Sequence, residues 1–143
     1  KARITMGLDQ YAFSRNKNSN LNGTVTETDW NNIKYEWRKH ARLQVFMRDL
    51  FNKRTEENDN VTQGAFDLGF NGDLLEITKE DIEKLKEAVK EKYWNYFCSD
   101  GFFWGQQFQE ESCKEYKKQD KAFINWAMEE IEKGNKVFYT CSW

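Results

Sequence analysis

The fold is decided by the closing stretch of the chain, KVFYTCSW at positions 136–143. Large, aromatic or β-branched side chains occupy both its odd and its even positions, so residues that favour strands would lie on both faces. A strand of that kind is typical of the interior of a sheet, where neighbouring elements cover both faces. The chain is therefore predicted to end in an interior strand.

Two further stretches predict strands by alternation of apolar and polar residues. Ile4–Phe13 alternates imperfectly and then runs into a polar, turn-forming segment. Phe66–Ile77 alternates on both sides of Asn71-Gly72, the pair most favoured in two-residue turns, and so predicts a β-hairpin.

Three stretches carry apolar residues at helical spacing. The first, about Asp29 to Arg54, can be capped by Thr26 or Thr28, and the third runs from about Glu111 to Lys133. The second follows the capping-box-like start at Thr78. We expect one α+β domain over residues 1–143, a mainly antiparallel sheet of about four strands covered by three helices.

Composition limits the classes of function. The chain has 143 residues, 22 basic and 24 acidic, with a net charge of −2, so nucleic acid is an unlikely partner. No apolar run is long enough to cross a bilayer and no apolar signal core follows the N-terminus, which predicts a cytoplasmic protein without membrane contact. The three cysteines are odd in number and widely spaced, so we expect reduced thiols.

Polar residues on the apolar side of the first predicted helix are the main candidates for a site. His40, the only histidine, and Gln44 lie near the centre of that apolar arc. Either they pair with buried polar groups and serve the fold, or His40 contacts a ligand or acts as a general base. The basic run from Lys34 to Arg42, with Trp37 within it, is either a solvated helix face or an anion-binding patch.

Asp9 interrupts the apolar first strand. It is either the structural partner of Arg38, Arg42 or His40, or a site carboxylate. If a pocket lies between the first strand and the first helix, six residues are predicted to line it: Asp9, Tyr11, Trp37, His40, Gln44 and Tyr139.

No catalytic or cofactor motif stands at its required spacing. A lone histidine and scattered cysteines do not make a zinc site, and no G-x-S-x-G, Walker or G-x-G-x-x-G stretch is present. Cys141 is either a small core residue or a thiolate nucleophile. We therefore assign no catalytic residue, metal or cofactor, and the balance favours a protein that is not an enzyme.

Three segments carry a resemblance to a known family. MGLDQY (6–11), WRKHARL (37–43) and VFYTCSW (137–143), in this order, resemble small proteins of marine and other tailed phages and of metagenomic phage sequence. The resemblance implies a phage-encoded protein that acts in the cytoplasm of a bacterial host, with residues 1–5 upstream of the family's first methionine or added. Some members carry a metabolic-kinase label, which no phosphate-binding motif in this chain supports.

Two hypotheses of function follow. The favoured one is a non-enzymatic binding protein that modulates a host component, and the alternative is a small-molecule or nucleotide-binding protein that uses the pocket described above. Val45 and Phe46, off the apolar arc, and the aromatic residues 102–104 predict surplus apolar surface for a homodimer or a host protein.

Overall fold

A computed structural model of the chain describes residues 7–18, 24–55, 69–98 and 105–143. Within these ranges the order of elements is β1 (Asp9–Arg15), α1 (Glu27–Asn31), β2 (Tyr35–Arg38), α2 (Ala41–Thr55), β3 (Leu75–Ile77), α3 (Lys79–Lys90), a 3-10 turn (Trp94–Tyr96), α4 (Gln106–Glu115), α5 (Lys117–Glu132) and β4 (Lys136–Ser142). No helix in these ranges has the length and apolar character needed to span a membrane.

The four strands form one antiparallel sheet in the order β2-β1-β4-β3. The predicted α+β class with a mainly antiparallel sheet of about four strands is confirmed, and β4 is an interior strand as its pattern predicts. In the register, Gln10 lies opposite both Trp37 and Cys141, and Ala12 lies opposite both Tyr35 and Tyr139. Side chains at paired positions share a face, so these residues all lie on one side of the sheet.

The inner face of the sheet packs against the helices. Trp37 of β2 meets Phe123 of α5 edge to face, with ring centroids 5.3 Å apart. Tyr139 of β4 reaches α2 through its hydroxyl, which donates to Gln44. The outer face carries Phe13 stacked on Phe138, and α1 contributes to its cover.

A single first helix from Asp29 to Arg54 is wrong. Residues 29–54 contain the end of α1, the strand β2 and most of α2. Backbone hydrogen bonds hold β2 against β1, from Lys34 N–H to the Ala12 carbonyl (2.9 Å) and from Lys39 N–H to the Leu8 carbonyl (2.7 Å). Lys39 then takes the left-handed conformation, φ 58°, and interrupts the helical geometry. Pairing with β1, which is distant in sequence, therefore makes residues 35–38 a strand, although the apolar residues of this region have helical spacing.

The predicted cap of the first helix is confirmed at Thr26. Its hydroxyl oxygen accepts from Asp29 N–H (3.2 Å), and the Asp29 carboxylate accepts from Thr26 N–H (2.8 Å). Asp29 also forms a buried ion pair with Arg15 of β1, N–O 2.6 Å. The cap therefore ties α1 to the sheet.

The third predicted helix is two helices, α4 and α5, and a single helix from Glu111 to Lys133 is wrong. Tyr116 leaves helical geometry between them, with φ −96° and ψ 8°. Its hydroxyl accepts from Arg38 N–H (3.0 Å) and donates to the Arg38 carbonyl (3.3 Å). The break therefore coincides with an anchor onto β2 that sequence spacing does not reveal.

The Asn71-Gly72 turn contacts the end of β4, and the described residues just before it, 69 and 70, form no strand paired with β3. Gly72, at φ 86°, donates its N–H to the Cys141 carbonyl (2.7 Å), and the Asn71 side chain bonds to both backbone groups of Trp143. Residues 69 and 70 are not in a strand, and residues 66–68 of the expected first arm lie outside the described residues. The expected loops at 55–64 and 99–105 also fall largely outside them. The second helix is confirmed as α3, with a complete capping box at Thr78.

Both outer edges of the sheet are covered by side chains. On β2, Gln119 donates to the Glu36 carbonyl (2.7 Å) beside the Tyr116 anchor. On β3, a guanidinium N–H of Arg54 donates to the Glu76 carbonyl. Backbone groups that would face solvent are therefore bonded within the chain.

Candidate functional site

A buried carboxylate, Asp120 of α5, is the centre of a polar cluster on the inner face of the sheet. Its Oδ1 accepts from Trp37 Nε1–H (2.7 Å), and its Oδ2 accepts from the Tyr93 hydroxyl (2.7 Å) and lies 2.9 Å from His40 Nε2. Asp120 is 1% exposed. Because three elements distant in sequence converge on it, Asp120 links β2, the segment after α3 and the start of α2.

The His40 ring is held between two tyrosines. It stacks on Tyr116 (centroids 5.3 Å, 12° between planes) and meets Tyr93 edge to face (5.1 Å, 78°). A carboxylate only accepts hydrogen bonds, so an Asp120 carboxylate requires His40 Nε2–H to be the donor in this contact. The opposite nitrogen, Nδ1, has no hydrogen-bond partner among the described residues.

A second chain of bonds extends the cluster across the sheet. Gln10 Nε2 donates to the Tyr139 hydroxyl (3.0 Å) and to the His40 carbonyl (3.1 Å), and Gln10 Oε1 accepts from His40 N–H (2.9 Å). The Tyr139 hydroxyl donates to Gln44 Oε1 (2.6 Å). We call the complete set the Asp120 cluster: Gln10, Trp37, His40, Gln44, Tyr93, Asp120 and Tyr139.

The electrostatics of the Asp120 cluster keep its tyrosines neutral. Burial, with the nearby Asp120 carboxylate as a second cause, raises the pKa of Tyr93 well above 10. Burial also raises the pKa of Tyr139 well above 10. Both hydroxyls therefore remain hydrogen-bond donors through the neutral range, and neither can act as a base there.

Four of the six predicted site residues come together and two do not. Trp37, His40, Gln44 and Tyr139 belong to the Asp120 cluster, each at most 1% exposed. Asp9 and Tyr11 lie on the outer face instead. Asp9 pairs with Arg38 there (3.5 Å), and Tyr11 contacts the Trp30 ring. The sheet thus separates Asp9 from His40, so the six residues do not line one pocket.

Three members of the Asp120 cluster were not predicted as site residues. Gln10, and not Asp9, is the inward residue of β1, because Leu8, Gln10 and Ala12 are all buried on alternate positions. Asp120 stands three, four and seven residues before Phe123, Ile124 and Ala127, on the apolar side of α5. The position of a charged residue on the apolar side of a helix is the sequence signal that could have identified Asp120 as a site residue. Tyr93 is buried beyond the C-terminal end of α3.

A cleft of about 1220 Å³ opens on the helical side of the Asp120 cluster, and we call it the α3–α5 cleft. The end of α3, the segment 91–94, α4 and α5 form its walls, and Tyr93 and Asp120 belong to both the cleft wall and the cluster. Its acidic lining residues are Glu87, Glu91, Glu110, Glu111 and Asp120. Its basic lining residues are Arg42, Lys86, Lys90, Lys92, Lys114, Lys117 and Lys121.

Arg42 is the buried basic residue of this cleft, with 6% of its surface exposed. Its Nε–H donates to Gln109 Oε1 (3.2 Å) and its Nη1–H to the Lys92 carbonyl (3.3 Å). The guanidinium also lies over the Phe97 ring, 5.5 Å from the centroid. These neighbours are neutral acceptors and an aromatic face.

The three cysteines are free thiols. Burial raises the pKa of Cys113 to about 11, although the Arg42 guanidinium beside it favours the thiolate. Burial raises the pKa of Cys141 to about 12. Neither thiol is ionised at neutral pH, so neither is a ready nucleophile.

Comparison of the chain with protein-family models, with curated proteins and with solved structures found no match. Within the described ranges, histidine, cysteine, aspartate and glutamate form no group of three that could hold a metal ion.

Proposed function

We propose that this chain is a non-enzymatic, phage-encoded binding protein that docks an acidic host-protein surface at the α3–α5 cleft. The observation that carries the proposal is a contrast in exposure. His40, the best candidate for catalysis, is fully buried, whereas Trp94 beside the cleft is 76% exposed. The phage origin and the host partner rest on the resemblance of the three sequence segments.

The polar groups of the Asp120 cluster serve the fold in this proposal. The carboxylate of Asp120 is occupied by three donors from the chain itself. A general base must reach the proton that it removes, and a sealed His40 does not reach a substrate in the cleft. The un-ionised thiols of Cys113 and Cys141 support the same conclusion.

The binding surface combines exposed aromatic rings with uncompensated positive charge. Trp94 lines the cleft, and Phe97, three residues later, is 41% exposed. Seven basic residues line the cleft against five acidic ones, and none of the seven forms an ion pair with a carboxylate of the described residues. Trp and Arg are the residues that most often dominate protein interfaces. Charge complementarity therefore favours an acidic protein partner.

A small-molecule or nucleotide site is the weaker alternative. The six residues predicted to line a pocket give it no joint support, because the sheet separates Asp9 from His40. The α3–α5 cleft is open to solvent and, at about 1220 Å³, is larger than the roughly 300–1,000 Å³ of typical ligand pockets. Its size and shape suit a segment of protein chain better than an enclosed small ligand.

Two residues that were expected to form an apolar surface for self-association are buried. Val45 and Phe46, expected to add apolar surface, are 3% and 2% exposed and belong to the core. The aromatic residues 102–104 lie outside the described residues. A second copy of the chain is therefore not the proposed partner.

The experiment compares two exposed tryptophans. Wild-type protein, Trp94→Ala and Trp30→Ala serve as baits in a host lysate, with Trp30, 47% exposed at the outer face, as the matched control. We expect one acidic partner to be retained by wild type and Trp30→Ala and lost by Trp94→Ala. The purified partner should bind wild type and Trp30→Ala directly, and more tightly than it binds Trp94→Ala.

Three results would overturn the docking proposal. One is a captured set that does not differ between the two variants. Another is a thermal shift with a metabolite or nucleotide that Trp94→Ala abolishes. The third is light scattering that shows a dimer in wild type and a monomer in Trp94→Ala.

A further inference from the structure

Arg42 carries a buried positive charge that no carboxylate of the described residues pairs with. Its hydrogen-bond partners are neutral groups: the Gln109 and Lys92 oxygens and the Cys113 thiol. Buried charges are normally paired with an opposite charge, because desolvation of an unpaired ion costs several kcal/mol. The neighbouring Asp120 cannot compensate it by direct contact, since its oxygens already accept from Trp37, Tyr93 and His40.

We propose that Arg42 is the receptor for a carboxylate from an acidic peptide segment, which enters the α3–α5 cleft and supplies the missing counter-charge. This inference rests on the proposed docking function and names the chemistry of the partner. The bonds of Arg42 to Gln109 and Lys92 use Nε and Nη1, and the Cys113 thiol beside the guanidinium is a neutral partner that supplies no counter-charge. A guanidinium binds a carboxylate through its parallel N–H groups, and the Phe97 ring limits the orientations of its plane.

The lysines of the cleft extend the site beyond a single carboxylate. Lys86 and Lys90 stand one helical turn apart on α3, while Lys117 and Lys121 stand one turn apart on α5. All four are exposed, so their ammonium groups can follow a flexible ligand at the cleft mouth. A segment with several spaced acidic residues can therefore contact Arg42 at depth and lysines on both walls.

The acidic residues of the cleft select against a dense polyanion. Glu87 and Glu91 lie on one wall, and Glu110 and Glu111 on the other. Glu110 and Glu111 each accept a bond from a glutamine one turn earlier, Gln106 and Gln107. Closely spaced phosphates would meet these carboxylates, whereas spaced Glu or Asp side chains can lie between them.

The test uses a fluorescein-labelled peptide of alternating Glu and Gly, with the Gln and Gly peptide as the uncharged control. Fluorescence anisotropy at low salt is expected to show binding of the acidic peptide only. Arg42→Met keeps the apolar stem and removes the charge, and we expect it to weaken binding about tenfold or more. Arg38→Met is the matched control, because Arg38 lies on the outer face beside Asp9, and it is expected to leave binding unchanged.

Two more variants protect the test against misfolding. Arg42→Lys keeps the charge without the guanidinium geometry and is expected to weaken binding less than Arg42→Met. Lys90→Gln is exposed, so it should fold normally and weaken binding two- to fivefold, about the effect of one surface charge at low salt. If Arg42→Met does not fold, weaker binding of the acidic peptide by both Arg42→Lys and Lys90→Gln supports the inference, and unchanged binding by both overturns it.

The inference is overturned if Arg42→Met, folded, binds the acidic peptide as tightly as wild type. It is also overturned if the acidic peptide does not bind, or if inorganic phosphate displaces it at concentrations at which acetate does not. If the peptide result is negative while Trp94→Ala still loses the captured partner, the docking proposal stands and only the role of Arg42 fails. If the peptide binds through Arg42 and no partner depends on Trp94, the carboxylate site stands and the docking proposal fails.

Discussion

Gln10 and His40 exchange two hydrogen bonds, each using the backbone of His40 and the side-chain amide of Gln10. The His40 N–H donates to Gln10 Oε1 at 2.9 Å, and Gln10 Nε2 donates to the His40 carbonyl at 3.1 Å. His40 lies just after β2 and just before α2, where neither the sheet nor the helix supplies a partner for its N–H. The glutamine amide therefore completes the backbone bonding at the point where the chain changes from strand to helix.

The Gln10→Met variant is expected to lower the free energy of unfolding by about 2–3 kcal/mol, because it leaves the buried His40 N–H without a partner, while the His40 carbonyl keeps its bond from the Gln44 N–H. Gln119→Met is the matched control. It removes a glutamine bond to the Glu36 carbonyl at an exposed edge and should change stability by about 0.5 kcal/mol or less. Urea denaturation of both variants makes the comparison, and equal stabilities would contradict a role for Gln10 at this junction.

The Asp120→Asn variant is expected to lose about 3–5 kcal/mol of stability. An amide offers one acceptor oxygen and places an NH₂ group against the donors that the carboxylate now accepts from, Trp37, Tyr93 and His40. Asp49→Asn changes an exposed aspartate in the same way and should be within about 0.5 kcal/mol of wild type. Chemical denaturation followed by tryptophan fluorescence measures both, and a mild effect at Asp120 would contradict its central position.

The Arg15–Asp29 ion pair is expected to make the free energy of unfolding fall at acidic pH. Burial raises the pKa of Asp29, but hydrogen bonds from Arg15 and from Thr26 outweigh it, so its pKa lies below the ordinary value of 3.8. In the unfolded chain the carboxyl has its ordinary pKa, so the stabilisation is complete above about pH 4 and is lost as the pH falls through the folded value. In urea titrations between neutral and acidic pH, Asp29→Asn and Arg15→Met should both show a smaller fall in the free energy of unfolding than wild type. A fall as large as that of wild type in both variants would contradict this prediction.

Thiol reactivity should distinguish the three cysteines. Cys98 and Cys141 are 2% and 1% exposed, whereas Cys113 is partly exposed and has its pKa raised to about 11. At pH 8 we expect only Cys113 to react with a disulfide reagent in the folded protein, about a hundredfold more slowly than a free cysteine. In denaturant all three should react quickly. Cys113→Ser is the control and should abolish the folded-state reaction, and rapid reaction of that variant would contradict the burial of the other two.

The sequence predicts the elements whose signals are local. β4 shows strand-forming residues on both faces, and Thr26 and Thr78 each stand three residues before the acidic residue that completes a capping box. β2 has only four residues, and one of its two inward residues, Trp37, also fits the helical spacing that leads into α2. Only its pairing with β1, in which Gln10 lies opposite Trp37, decides between strand and helical periodicity.

The residues of the candidate site are likewise predictable where their signal is local, but their long-range contacts are not. His40 and Gln44 stand out as polar residues on an apolar arc, and both are buried and bonded in the Asp120 cluster. The partner of His40, Asp120, is 80 residues away, and no local pattern specifies that contact. The burial of Arg42 likewise depends on Gln109 of α4 and on Phe97, which pack against it only in the folded chain.

The covered edges of the sheet have a consequence for self-assembly. A growing cross-β stack needs an open strand edge, and here Tyr116 and Gln119 occupy β2 while Arg54 occupies β3. Arg54 lies on α2, Gln119 lies on α5 and Tyr116 directly precedes α5, so the native fold must loosen at α2 or α5 before an edge can recruit another chain. Resistance to fibril formation is therefore tied to the docking of two helices, and it should fail only under conditions that detach them.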